Sequence, residues 1–207
     1  LDSGYFRPAQ EVLDQIEWAE SCGNVRTVVL YDGWNRYGEP EFMLLEKKCG
    51  ELVPVDDPYA VIPPKGDLNM GDPKTLENFV TWARATYPSQ YYGLIMADRG
   101  QGWRGCNFMR DLTNLDSLTI PELGDALDMA TGQGEWPLDL MAFDASFMQM
   151  LEVDFELVGD LGPVVDYVVG SEEWMPPLGL PYYDILSQMC YPGYLTNMTV
   201  LDPVGLG

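Results

Sequence analysis

Asp144-Ala145-Ser146 closes a short apolar run, Leu140-Met141-Ala142-Phe143, and precedes a stretch with apolar residues at helical spacing. A strand that brings a side chain to the carboxyl edge of a sheet just before a helix is a place from which reactive and binding groups act. The first amides of such a helix carry its positive dipole end, which suits a thiolate or a developing oxyanion. A serine that merely caps the helix fits the same pattern. Two further strand ends carry polar groups: Asp98-Arg99-Gly100 after residues 91–97, and Ser171-Glu172-Glu173-Trp174 after residues 164–169. Arg99 can only be a cation, because guanidinium stays protonated and has no acceptor lone pair. Ser146 needs a base to lose its proton, and the chain has no histidine. A serine–lysine pair would have to draw on Lys47, Lys48, Lys65 or Lys74, which all fall far from the strand ends.

The elements that must hold these groups are legible from periodicity. Residues 6–20 predict a first helix with Pro8 in its opening turn and Val12, Leu13, Ile16 and Ala19 on one face. Residues 25–31 are β-branched and nearly continuously apolar, as in a strand covered on both faces. Residues 42–45 and 52–55 suit a small antiparallel excursion, separated by Glu46-Lys47-Lys48. Residues 56–71 hold enough proline and glycine to be mostly loop. Asp72 caps a helix that opens on Pro73 and stops at Tyr87-Pro88. Residues 101–117 read as a long loop, and Thr119 with Glu122 forms a capping box for the next helix. The helix after Ser146 is expected to bury Met148, Leu151, Phe155 and Val158 together. A short helix is expected over residues 182–189, followed by a tail with little periodicity. Alternating strands and helices imply an α/β chain whose mainly parallel sheet has the site along its carboxyl edge.

The chain has 207 residues, enough for one α/β domain with a sizeable core, and a single domain over 1–207 is expected. Its formal net charge of −22 opposes nucleic acid and anionic membranes and favours cationic substrates or partners. The same acidity fits a surface adapted for solubility or high salt. Cys22, Cys49, Cys106 and Cys190 are scattered without a CxxC pair, so neither their pairing nor a zinc site can be read from spacing. Without a long apolar run or a basic leader, no membrane span is expected, and a signal peptide is absent or already removed.

Four stretches in one order carry a resemblance: DLNMGDPKTLENFVTW from Asp67, YYGLIMADRGQGWRG from Tyr91, FDASFMQMLEV from Phe143, and VVGSEE from Val168. This series resembles the clostripain family of cysteine endopeptidases, with its NMGD-x-x-TL helix start, its strand ending D-H-G-x-GW-x-G and its strand ending DAC. The spacing between positions 99 and 146 fits that pattern. The family's histidine falls on Arg99 and its nucleophilic cysteine on Ser146. The frame is therefore kept while both reactive groups are replaced.

The resemblance implies a caspase-like α/β/α sandwich and cleavage after arginine or lysine. Asp144, two residues before the nucleophile position, would belong to the pocket for that basic side chain, with Glu173 as a second pocket acid. Arg99, if close to Asp144, could fill the same pocket. Gly100 and residue 146 would supply the oxyanion amides, Trp103 would pack the loop, and Arg110 would be a self-processing site. Calcium is possible, with Asp67, Asp72, Asp111 and Asp116 available as oxygen ligands but without EF-hand spacing, so no metal is assigned. The family's first strand and its C-terminal continuation are missing, which suggests a fragment, a processed chain or an edited one. Two readings follow: a peptidase specific for basic residues that is silenced at its dyad, or a natural pseudopeptidase that binds basic peptides or a protein partner without cutting. Secretion or a cell-surface location is expected, and oligomeric state is left open.

Overall fold

The structure is a computed structural model, and it describes residues 9–20, 22–34, 40–55, 68–104, 108–176 and 179–190. Contacts divide the chain into two compact units, one built mainly from Asp56–Gly179 with Leu30–Met43, the other from Pro8–Val29, Leu44–Val55 and Leu180–Gly207.

The first unit is organised by a parallel sheet. Strand β4 (Gly93–Ala97) pairs with β7 (Leu138–Asp144), and β7 pairs with β8 (Val165–Val169), in the order β4-β7-β8. The register sets Ala97 opposite Asp144, so the chain segments that follow, 98–100 and 145–147, leave the sheet side by side. This is the parallel sheet expected from the alternating pattern, and it places residues 99 and 146 at one carboxyl edge.

Helices α2 (Pro73–Thr86) and α3 (Ile120–Ala130) pack on each other and feed the core beneath β7. Both begin where the sequence predicts. Asp72 accepts the Lys74 amide with Pro73 at the first helical position, and Thr119 with Glu122 forms a complete capping box. Such caps contribute about 1 kcal/mol each. Leu123, Leu127, Met141, Met148, Val153 and Val164 are almost completely buried, and Phe108 meets Phe143 edge to face at 5.8 Å.

Two expectations are corrected in this unit. Residues 101–117 are not one loop. A 3-10 turn (Gly102–Arg104) is followed by an antiparallel hairpin, β5 (Phe108–Asp111) and β6 (Asp116–Leu118). Buried Asp111 shapes the turn by accepting the amides of Thr113 and Asn114 at 2.8 Å. The helix after Ser146 is also late and short. Helix α4 spans only Leu151–Glu156, and Leu151, Phe155 and Val158 are exposed while Met148 is buried. The reason is the backbone at Phe147, which lies in the left-handed region, where a right-handed helix cannot run, while the Phe147 and Gln149 amides donate to the Glu173 and Ser171 carbonyls and hold the segment along residues 171–173.

In the second unit, α1 (Ala9–Trp18) and α5 (Tyr182–Cys190) pack through Ile16, Ala19, Tyr182 and Leu186, with Val12, Val29, Leu52 and Leu180 against them. A disulfide joins Cys22 to Cys190. Strands β1 (Val28–Trp34), β2 (Pro40–Lys48) and β3 (Glu51–Pro54) form a three-stranded sheet of order β1-β2-β3, and β1 is half-buried over Val28–Tyr31 rather than fully covered. Strand β2 (Pro40–Lys48) pairs antiparallel with β3 (Glu51–Pro54), the excursion expected, but Glu46-Lys47-Lys48 extends the strand instead of breaking it. The turn falls on Cys49 and Gly50, both at positive φ. Lys47 tolerates burial because its ammonium donates to the carbonyls of Ile16 and Glu17 at 2.6 and 2.7 Å, closing the carboxyl end of α1. Desolvation lowers its pKa, opposed by Glu17 and Glu20.

Among the described residues no helix is long and apolar enough to cross a membrane. The start of the expected first helix at residues 6–8 and the tail beyond Cys190 lie outside the described residues.

Candidate active site

The carboxyl edge of the parallel sheet gathers Asp98, Arg99 and Gly100 from β4, Asp144 and Ser146 from β7, and residues 171–175 from β8. The Asp98 amide donates to the Asp144 carbonyl at 3.2 Å, and the Ser146 amide donates to the Arg99 carbonyl at 2.8 Å. The two expected dyad positions are thus tied together through the main chain.

Ser146 is 5% exposed, and its hydroxyl accepts the Met175 amide at 2.9 Å. Together with the Phe147–Glu173 and Gln149–Ser171 bonds, this fastens residues 171–175 along the turn after β7. The expectation that the amide of residue 146 serves as an oxyanion donor is corrected, because its proton points at the Arg99 carbonyl. The helix dipole cannot assist there either, since α4 begins five residues later and a helix end acts within about one turn.

Gly100 is buried at φ 67°, and a Cβ at that position would meet the Ser146 nitrogen at 2.7 Å and the Ala145 Cβ at 2.9 Å. Only glycine lets the loop after β4 come this close to the turn after β7. A Cβ on Gly102, at φ 62°, would lie 2.7 Å from Met150 Sδ. Trp103, between Gly102 and Arg104, is 52% exposed.

Arg99 carries an exposed side chain. Its charge bears on the neighbouring Asp98 carboxyl, whose pKa is raised by burial and held back by the amides of Arg99, Arg110 and Met109 and then by the Arg99 charge. Asp144 is 8% exposed and its carboxylate faces Gly179, where an added Cβ would sit 2.6 Å from either oxygen. Sequence reasoning missed Gly179; its only signal was a glycine within the proline-rich stretch after Glu173. The Glu173 side chain is exposed, and the residue contributes through its backbone, accepting from Phe147. Arg110 lies on β5 rather than in a loop, exposed, with its amide donating to Asp98 at 3.1 Å.

The NMGD stretch works as a brace for this edge. Asn69 accepts from the Gly71 amide with its side chain and from the Thr75 hydroxyl with its carbonyl, and it donates to Asp116 at 2.7 Å. Met70 donates to Asp111, and a Cβ on Gly71 would lie 2.5 Å from the Ser117 nitrogen. The start of α2 and the β5-β6 hairpin are therefore locked together. These bonds occupy oxygens of Asp111 and Asp116, while Asp72 caps α2. Among the described residues no three histidine, cysteine or acidic groups come together as metal ligands. Asp67, the fourth carboxylate considered for calcium, lies outside the described residues.

A model of the clostripain family, peptidase C11, matches residues 9–193. Clostripain of Hathewaya histolytica is 32% identical over 146 residues, covering 64% of this chain and 27% of clostripain. Among solved structures, a secreted C11 cysteine protease from Bacteroides thetaiotaomicron in complex with an irreversible peptide inhibitor is 28% identical with a TM-score of 0.67, over 87% of this chain and 48% of that one. An inactive zymogen C11 protease from Parabacteroides distasonis shares the fold at 21% identity and a TM-score of 0.58, over 88% of this chain and 48% of that one. The chain thus spans about a quarter of the curated relative and about half of these solved chains. The caspase-like α/β frame expected from the motifs agrees with these likenesses.

Proposed function

Because this chain belongs to the clostripain family, we propose that it uses the family's frame to bind arginine or lysine side chains in peptides or proteins and does not cut them. The state of Ser146 carries this reading: its amide is given to Arg99, its hydroxyl accepts Met175, and the chain has no histidine to act as base. A serine without a base is a poor nucleophile, and Arg99 cannot take its proton.

Recognition is supported separately. Asp144 is nearly buried at the sheet edge, and its carboxylate lies so close to Gly179 that no side chain fits between them. A carboxylate there can accept a guanidinium in two parallel bonds, and the strong net negative charge draws cationic partners towards it. Likeness to a secreted relative favours a place outside the cell.

The test is binding and turnover in one series. A short Arg-ended fluorescent peptide should bind the unaltered chain, and Asp144→Asn should weaken binding by about 10-fold or more, the size of a lost charge-assisted pair. Neither protein should release product. Cleavage by the unaltered chain above the level of Ser146→Ala would overturn the reading, as would equal affinity for Arg-ended and Leu-ended peptides.

A further inference from the structure

Away from the sheet edge, the second unit holds a cavity of about 270 Å³ whose walls include three of the chain's four cysteines: Cys22, Cys49 and Cys190. Two of them are already bonded to each other, and Cys49 is an exposed free thiol. A free thiol opening onto the same cavity as a disulfide is the pairing that thiol–disulfide exchange requires.

The surrounding bonds explain why the three cysteines line one cavity. Lys47, two residues before Cys49, is pinned through its ammonium to the carboxyl end of α1 and through its amide to the Thr27 carbonyl at 2.9 Å. Glu17 reaches back to the Leu52 amide on β3 at 3.5 Å, so both strands of the hairpin are fastened to α1. Just beyond α1, the Val25 amide closes a turn on the Cys22 carbonyl at 3.4 Å. From α5, Ser187 accepts the Glu20 amide at 3.1 Å, and Cys190 lies against the Glu20 carbonyl. The hairpin tip, the end of α1 and the end of α5 are held around one space.

We propose that Cys49 exchanges with the Cys22–Cys190 disulfide, moving the cross-link to the β2-β3 turn. The Cys49 thiol gives its proton to water and its thiolate forms a new S–S bond to Cys22 or Cys190. The old S–S bond breaks, and the sulfur left behind departs as a thiolate that takes a proton from water. One disulfide and one thiol are present before and after, so no oxidant or reductant is needed. Cys49 sits at a two-residue turn with Gly50, a tip that can swing its sulfur without disturbing the paired residues Lys48 and Glu51. Exchange with Cys22 would free the end of α5 from α1; exchange with Cys190 would tie α5 to the hairpin instead.

The experiment uses the whole chain and its Cys49→Ser variant, whose change falls at an exposed turn. Each is held at pH 8.5 without added reductant, trapped with N-ethylmaleimide, and digested at acid pH without reduction for peptide mass analysis. The expected result is maleimide on Cys22 or Cys190 in the unaltered chain, with a matching Cys49-linked peptide, at more than about 10 times the level in Cys49→Ser. Label confined to Cys49 and Cys106 would overturn the proposal. So would label on Cys22 or Cys190 at equal levels in both proteins, since Cys49 would then not be the attacking group. Failure to find the Cys22–Cys190 peptide in the freshly trapped chain would overturn it as well.

Discussion

The backbone amide of Ser146 donates to the carbonyl of Arg99 at 2.8 Å, so the two expected dyad positions are stitched together through the main chain. An amide spent on a carbonyl is not available to a developing oxyanion, and losing one such donor costs about 100- to 1000-fold in kcat. Restoring the side chains alone, with Arg99→His and Ser146→Cys, should therefore give only slow cleavage of an Arg-ended fluorogenic peptide. The expected kcat is about 100-fold or more below that of Hathewaya histolytica clostripain on the same peptide. Equal rates would mean that substrate itself releases the 146 amide.

The hydroxyl of Ser146 has a structural use that a thiol would serve poorly. It accepts the Met175 amide at 2.9 Å in a largely buried setting. Ser146→Ala leaves that donor unpaired, at a cost of about 1–3 kcal/mol. The expected outcome in urea unfolding is a lower midpoint with an unchanged slope, together with faster hydrogen exchange at Met175. Unchanged exchange at Met175 would show that water replaces the hydroxyl without loss.

Helices opened by a side chain were readable because the signal and its partner sit within a few residues: Asp72 with Pro73, and Thr119 with Glu122. The strands ending at Ala97 and Asp144 were readable from their apolar runs, and their common edge followed from the alternation of elements. The chain after Ser146 was misread because its competitor is distant. Met148, Leu151 and Phe155 have helical spacing, but the segment is bonded to Ser171 and Glu173 with Phe147 at a positive φ that a right-handed helix cannot include. The β5-β6 hairpin was hidden for a similar reason, its turn being built by one aspartate, Asp111, rather than by a glycine pair. Cysteine pairing lay beyond local pattern altogether, since Cys22 and Cys190 are 168 residues apart.

Gly179 controls what can approach Asp144. At φ 59° a side chain is strained, and a Cβ would stand 2.6 Å from both carboxylate oxygens, pressing directly on the group proposed to receive the guanidinium. Gly179→Ala should reduce affinity for an Arg-ended peptide by about 10-fold or more, the scale of a lost charge-assisted pair. Affinity for a Leu-ended control should not change. Fluorescence titration of both peptides separates the outcomes: parallel losses would indicate general damage to the segment rather than obstruction of Asp144.

Asp98 makes stability depend on pH in a direction that can be worked out. Burial raises its pKa in the folded chain, against the opposing pull of the Arg99, Arg110 and Met109 amides and the Arg99 charge. A carboxyl whose folded pKa exceeds its unfolded value, near 3.9, binds its proton more tightly when folded. Its contribution is then complete below about pH 4 and is lost as pH rises through the folded value. Asn at this position keeps an acceptor for the Arg110 amide without a charge to bury. Asp98→Asn should therefore gain stability relative to the unaltered chain between pH 4 and 7, by about 1.4 kcal/mol for each unit by which the folded pKa is raised. Urea unfolding of the two proteins at stepped pH gives this difference directly, and the repulsion among the other acids, common to both, cancels. A difference that stays flat from pH 4 to 7 would remove Asp98 as a titrating group in folding.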